Sequence, residues 1–107
     1  MLPSSVRIFV CTVPQDMRRS FDALALVARQ LVGEDPESGA LFVFVGKRRD
    51  RVKVLWLEKN GACLLYKRLH RALFEVPRDG ARPSVRIDSA QLAALLAGVA
   101  HERRAKA

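Results

Sequence analysis

The sequence is poor in the groups on which most protein chemistry rests. It has two histidines, His70 and His101, and two cysteines, Cys11 and Cys63. None of the four sits at metal-ligand spacing from another ligand, which excludes a metal site read from spacing. A Walker loop, a G-x-S-x-G elbow and an H-E-x-x-H helix are all missing. A two-metal nuclease or strand-transfer centre needs several carboxylates converging on one point. The acids Asp16, Asp22, Glu34, Asp35, Glu37, Asp50 and Glu58 instead fall mostly on expected loops or beside bases. The chain therefore reads as a non-enzyme, with no metal and no cofactor. Long apolar runs are missing too. No clean one is longer than Ala40–Val45, a length that Ala23–Ala28 and Leu92–Ala97 share, far short of the roughly 18 residues of a membrane helix. The opening MLPSSVRIFV has no basic segment followed by a long apolar stretch, so it does not read as a signal peptide. Cys11 and Cys63 lie in apolar segments and belong to no motif. They are expected to be buried, reduced thiols of a cytoplasmic protein.

What the chain does have is positive charge in one place. From Lys47 to Arg71 there are nine Lys/Arg (Lys47, Arg48, Arg49, Arg51, Lys53, Lys59, Lys67, Arg68, Arg71) against Asp50 and Glu58. That is +7 of a total of +8; the other residues hold ten bases and nine acids and are nearly neutral. Charge gathered on one unit points to a surface facing a polyanion, which a uniformly high pI would not do. Half of the 107 residues are apolar. A chain of this length makes one domain, burying roughly 65% of its unfolded surface without staples.

Val6–Thr12 alternates Val6, Ile8 and Val10 with Arg7, Phe9 and Cys11, a strand pattern broken by Pro14. Asp16 is the expected N-cap of a helix running to about Val32, with Gly33 ending it. Met17, Phe21, Leu24, Ala28 and Leu31 share its apolar stripe, widened by Leu26 and Val27. Glu34–Gly39 is a polar turn segment. Leu41–Val45 reads as a strand buried on both faces, followed by a Gly46–Asp50 loop. Arg51–Glu58 and Ala62–Leu69 are two strands joined at Asn60-Gly61, a strong hairpin signal. Leu73–Val76 is a candidate edge strand closed by Pro77, and Arg78–Pro83 is a loop. Asp88-Ser89-Ala90-Gln91 has capping-box spacing and opens a helix with Leu92, Leu95, Leu96 and Val99 on its apolar face. The expected fold is α+β, in the order β-α-β-β-β-(β)-α. A small antiparallel sheet would carry two helices packed on one face. Residues 1–100 form the domain and 101–107 a flexible basic tail.

A loop at Asn60-Gly61 sets the hairpin register, with Lys53 facing Arg68, Arg51 facing His70 and Val54 facing Lys67. One face then holds Leu55, Leu57, Leu64 and Tyr66 near the turn, with Arg51, Lys53, Arg68 and His70 at the far end. The other face (Val52, Val54, Trp56, Cys63, Leu65 and Leu69) is the better core. Like charges directly opposite cost roughly a few tenths of a kcal/mol, so Lys53 and Arg68 together want an external anion. Tyr66 beside them makes a nucleic-acid surface chemically reasonable. A solvated edge that uses Lys and Arg to block aggregation would carry the same residues. A second anion site is Asp16-Met17-Arg18-Arg19. Two arginines in a first helical turn oppose the macrodipole by about 0.3–1 kcal/mol each, and a phosphate there would relieve them. A pair between Arg18 and Asp22 accounts for one arginine without any ligand.

Five runs carry a further resemblance. They are Asp16-Met17-Arg18-Arg19-Ser20-Phe21-Asp22-Ala23-Leu24, Asp35-Pro36-Glu37-Ser38-Gly39-Ala40-Leu41-Phe42-Val43-Phe44, Arg48-Arg49-Asp50-Arg51-Val52-Lys53-Val54-Leu55-Trp56, Tyr66-Lys67-Arg68-Leu69 and Gln91-Leu92-Ala93-Ala94-Leu95-Leu96-Ala97-Gly98. In this order they resemble the TnpB (second open reading frame) proteins of the insertion-sequence family numbered sixty-six, which are distinct from the RNA-guided nuclease of the same name. The likeness spans roughly Val6 to Val99. Glu37 stands where the family usually has an aromatic, His70 where an acid often follows, and Ala72-Leu73 where Gly-Arg is common. The resemblance implies a small bacterial accessory protein encoded beside a separate DDE-type transposase and needed for efficient transposition. Its expected partners are DNA, with transposon ends as the target, and the transposase and other accessory proteins of the element.

Combining charge, geometry and resemblance, Arg48, Arg49, Arg51, Lys53, Lys67 and Arg68 are the expected phosphate contacts. Tyr66 would pack beside them, and Arg18 and Arg19 would extend the track. The rival reading is a protein-interaction module docking on the transposase or another subunit through exposed Leu55, Leu57 and Leu64.

Overall fold

In the computed structural model, which describes residues 5–100, alternating and continuous apolar runs become the strands of one central sheet. The elements in chain order are β1 (Ile8–Gln15) and α1 (Phe21–Val27), continued by a π-helical turn (Ala28–Val32) and a short 3-10 turn (Pro36–Ser38). Then come β2 (Leu41–Gly46), β3 (Arg51–Glu58), β4 (Gly61–Arg68), β5 (Ala72–Leu73), β6 (Ser84–Ile87), α2 (Ser89–Ala97) and β7 (Val99–Ala100). The expected tail at 101–107 lies outside the described residues. The fold is α+β, with a five-stranded sheet ordered β4-β3-β2-β1-β6 and a two-stranded sheet of β5 and β7.

Two details differ from expectation. The sheet is mixed: β1 and β2 are parallel, while β2–β3, β3–β4 and β1–β6 are antiparallel. The reason is the helix between β1 and β2, a crossover that returns the chain to the same end of the sheet. The two helices also cover opposite faces, not one. Leu92 and Leu95 of α2 pack with Phe74 on Ile8, Val10, Val43, Val52 and Val54. Leu24, Val27 and Ala28 pack on Cys11, Phe42, Phe44 and Leu55. Every residue of β2 is buried, as the run Leu41–Val45 predicts. With both helices on one face, Phe42, Phe44 and Leu55 would stand in water, at a cost on the order of 5 kcal/mol. That is comparable to a domain's net stability.

The first helix ends as expected, at Gly33 in the left-handed region (φ +80°) with its N–H on the Ala28 carbonyl at 2.9 Å. It starts four residues late, because Asp16 builds a separate turn instead of capping the helix. Its carboxylate accepts from the Arg18 amide at 2.9 Å, and its carbonyl accepts from the Arg19 amide at 3.1 Å. The second helix starts where the capping box predicts. The Asp88 side chain accepts from the Gln91 amide at 2.7 Å, and the Gln91 side chain accepts from the Asp88 amide at 2.8 Å.

The β3–β4 hairpin turns one residue earlier than Asn60-Gly61, with Glu58 paired to Gly61. Each β3 residue therefore faces a β4 residue two positions earlier than expected. Lys53 faces Tyr66, and Arg51 faces Arg68. A shift of two leaves every side chain on its expected face, so burial cannot choose between the two registers. The observed one gives Lys53 a contact with Tyr66, the ammonium 5.0 Å from the ring centroid, and moves the like-charge opposition to Arg51 and Arg68. The candidate edge strand at Leu73–Val76 reduces to Ala72–Leu73 against Val99–Ala100, while Phe74 enters the core. Ser84–Ile87, unassigned from sequence, is the second partner of β1. Cys11 is buried, but Cys63 is only half-buried, contrary to expectation. No described helix is long and apolar enough to cross a membrane.

Candidate nucleic-acid interface

Parallel pairing of β1 and β2 brings their carboxyl ends together, with Gln15 paired to Gly46. The turn after β1 and the loop after β2 therefore lie side by side, and antiparallel β3 starts at the same end with Arg51. In open sheets of this kind the crevice beyond the carboxyl ends of parallel strands is the usual ligand position. Here it is a cleft of about 490 Å³ whose walls include Asp16, Met17, Arg18, Gly46, Lys47, Arg48, Asp50, Arg51 and Tyr66. Met17 lies close against the end of β2. A Cβ on Gly46 would stand 2.7 Å from the Met17 Cγ, so a side chain there would push the Met17 side chain aside.

The β2–β3 loop is held in an unusual shape. Arg49 has φ +62°, a left-handed conformation costing a non-glycine residue roughly 1–2 kcal/mol. Backbone hydrogen bonds hold it. The Arg49 amide donates to the Gly46 carbonyl at 2.9 Å, the Arg49 carbonyl accepts from Phe74 at 2.6 Å, and the Asp50 carbonyl accepts from Leu69 at 2.8 Å. The loop's polar backbone is thereby turned onto the segment leading into the core. The side chains of Lys47, Arg48 and Arg49 are left exposed.

Four bases and two acids surround the cleft. One acid is already satisfied: Asp16 binds Arg18 through Nη2–Oδ2 at 2.8 Å and Nε–Oδ1 at 3.0 Å. The Arg18 side-chain hydrogen bonds, joined by the Arg18 amide, hold the Asp16 carboxyl well below the usual carboxylate range. The same contact raises the Arg18 guanidinium above its ordinary value. Among the described residues, Lys47, Arg48 and Arg51 have no acid within ion-pair distance.

A profile of the family described as "IS66 Orf2 like protein" matches residues 6–106. The chain belongs to this IS66 Orf2-like family. The uncharacterized protein y4hO of Sinorhizobium fredii is 40% identical over 101 residues, covering 92% of this chain and 87% of that protein. The uncharacterized protein y4jC of the same organism is 36% identical over 78 residues, covering 71% of this chain and 67% of that protein. No solved structure matches the chain. The IS66 Orf2-like proteins are insertion-sequence accessory proteins implicated in transposition, generally non-catalytic.

In this IS66 Orf2-like chain the nominated residues divide into three groups. Arg18, Arg48, Arg51 and Tyr66 line one cleft, although Arg18 and Arg48 are far apart in sequence. Arg49 lies in the same loop, and Arg68 is exposed across from Arg51. Lys53, Arg19 and Lys67 differ. Lys53 is only 8% exposed, with its Nζ donating to the Arg19 carbonyl at 2.6 Å. The Arg19 guanidinium donates to Gln15 Oε1 at 3.0 Å, and Gln15 donates on to the Val13 carbonyl at 3.1 Å. These groups brace the turn from behind. Lys67 lies on the α2 face and donates to the Leu96 carbonyl at 2.7 Å, closing the end of that helix. Arg18 and Arg19 precede α1 instead of occupying its first turn, so the helix-dipole argument does not apply. Arg18 pairs with Asp16, not Asp22. Lys47, nominated by charge count alone, proves to be a lining residue. The leucine patch of the rival reading is only partly open: Leu55 is fully buried, and Leu57 and Leu64 are half-buried beside it.

Proposed function

We propose that the protein serves transposition by binding DNA phosphates at the basic cleft, with Lys47, Arg48 and Arg51 as the direct contacts. The observation carrying this reading is three cations without acidic partners around one concave space at the carboxyl ends of β1 and β2. Arg49 and Arg68 extend the positive rim. Arg18 is held in reserve by Asp16, while Lys53 and Arg19 keep the turn in place. Phosphate contacts position a protein on DNA without reading bases, so the terminal repeats of the element are the natural but not the exclusive ligand.

The test is a salt series with terminal-repeat duplex, followed by electrophoretic shift or fluorescence anisotropy. Three phosphate contacts give a slope of log affinity against log salt of about −2.7. Replacing Lys47, Arg48 and Arg51 together by alanine should flatten that slope. Asp16→Asn should raise affinity and steepen the slope by about 0.9, because Arg18 is released. Binding insensitive to salt, or a triple variant that binds like the parent, overturns the reading.

A further inference from the structure

The cleft holds more than cations. Tyr66 is the chain's one tyrosine, and it stands 52% exposed in the middle of an eight-residue strand, lining the same space as Arg48 and Arg51. Its ring is not loose. The Lys53 ammonium lies 5.0 Å from the ring centroid and is itself tied at 2.6 Å to the Arg19 carbonyl. A buried, doubly engaged cation thus fixes the position of an exposed aromatic ring beside unpaired cations. Phosphate binding alone leaves the ring without a role, because a phosphate has no use for a ring.

The shape of the space makes the same point. A duplex presents a convex surface whose bases are stacked on one another, so their faces are out of reach of an aromatic ring lining a cleft. The available volume, about 490 Å³, falls within the range that encloses small organic groups. An unpaired nucleotide meets both requirements, with a phosphate for the rim and an aromatic face for the ring. Binding sites for single strands are built from these two components, a basic track and an aromatic platform.

We infer that the cleft takes an unpaired nucleotide of single-stranded DNA, with its base stacked on Tyr66 and its phosphates on Arg48, Arg51 and Lys47. The inference rests on the phosphate-binding reading above and narrows its ligand. Stacking on an aromatic ring tolerates every base, so preference for strandedness, not for sequence, is the expected behaviour.

Anisotropy with the intact protein tests this, using a 15-nucleotide single strand, the same sequence as duplex, and a single strand of abasic residues. The expected order is single strand tightest, with the abasic strand weaker by roughly five-fold to a hundred-fold. The abasic strand keeps every phosphate, so the comparison needs no change in the protein. Tyr66→Phe should keep the preference. Tyr66→Leu, which keeps apolar bulk on the strand, should lose it. Abasic and natural strands bound equally, or a duplex preferred by the parent and by Tyr66→Leu alike, overturns the inference and leaves phosphate binding standing. No binding of any of the three at low salt overturns both.

Discussion

Replacing Lys53 by methionine separates a structural lysine from a DNA contact, because the two roles predict opposite measurements. The side chain is 8% exposed, its Nζ is 2.6 Å from the Arg19 carbonyl, and it lies 5.0 Å from the Tyr66 centroid. Methionine keeps the length and apolar bulk of the stem, so packing is little changed. The charge-assisted hydrogen bond is worth about 1.5–3 kcal/mol, since the carbonyl it leaves behind loses its partner. The cation–π contact adds about 0.5–1 kcal/mol. Relief from burying a charge offsets part of this. A net loss of about 2–3 kcal/mol is expected. For a chain of this size the urea slope is of order 1–3 kcal/mol/M, so the midpoint should fall by about 1–2 M. The salt slope for duplex binding, measured where the variant is folded, should not move, because no phosphate contact has been removed. An unchanged midpoint together with a slope shallower by about 0.9 would make Lys53 a phosphate ligand and refute the argument.

Asp88→Ala should lower stability by about 1 kcal/mol, as loss of a helix N-cap does, whereas Asp88→Asn should lower it by less; urea midpoints distinguish the two. Cys63 donates to Glu58 Oε1 at 3.0 Å, and that hydrogen bond, followed by desolvation and the nearby carboxylate charge, raises its thiol above the ordinary value. Iodoacetamide at pH 8 should therefore alkylate Cys63 more slowly in the folded protein than in urea, and Glu58→Gln should speed it. The sign also fixes the pH dependence. The contribution of this contact is present below the ordinary thiol range and is lost as pH rises through the folded value. Equal rates in folded and unfolded chains would contradict the hydrogen bond.

The pattern of side chains was enough to place most elements. Continuous burial of Leu41–Val45, the Asp88–Gln91 capping box and the end of the first helix at Gly33 are local facts, and each lies in the chemistry of a few adjacent residues. So does the face of the hairpin on which each residue stands, since alternation survives a shift of two. The family was legible as well, because its motifs are written in residue order. Where sequence reading fell short, a distant partner decides the outcome. Ser84–Ile87 is too short to declare itself a strand until β1 is beside it. The start of α1 depends on whether Asp16 caps a helix or binds Arg18, two local alternatives of similar strength.

The concentration of charge between Lys47 and Arg71 was present in the sequence itself, and no folding could remove it. Which of those charges face one another was not. Parallel pairing of β1 and β2 puts Arg18 across a cleft from Arg48 and Arg51, while the same fold withdraws Lys53 behind Tyr66 and ties Lys67 to the end of α2. Charge is a property of composition and survives any arrangement of the chain. Convergence and accessibility depend on which strands are neighbours and on what covers each face, and here both are set by long-range burial on the two sides of β2.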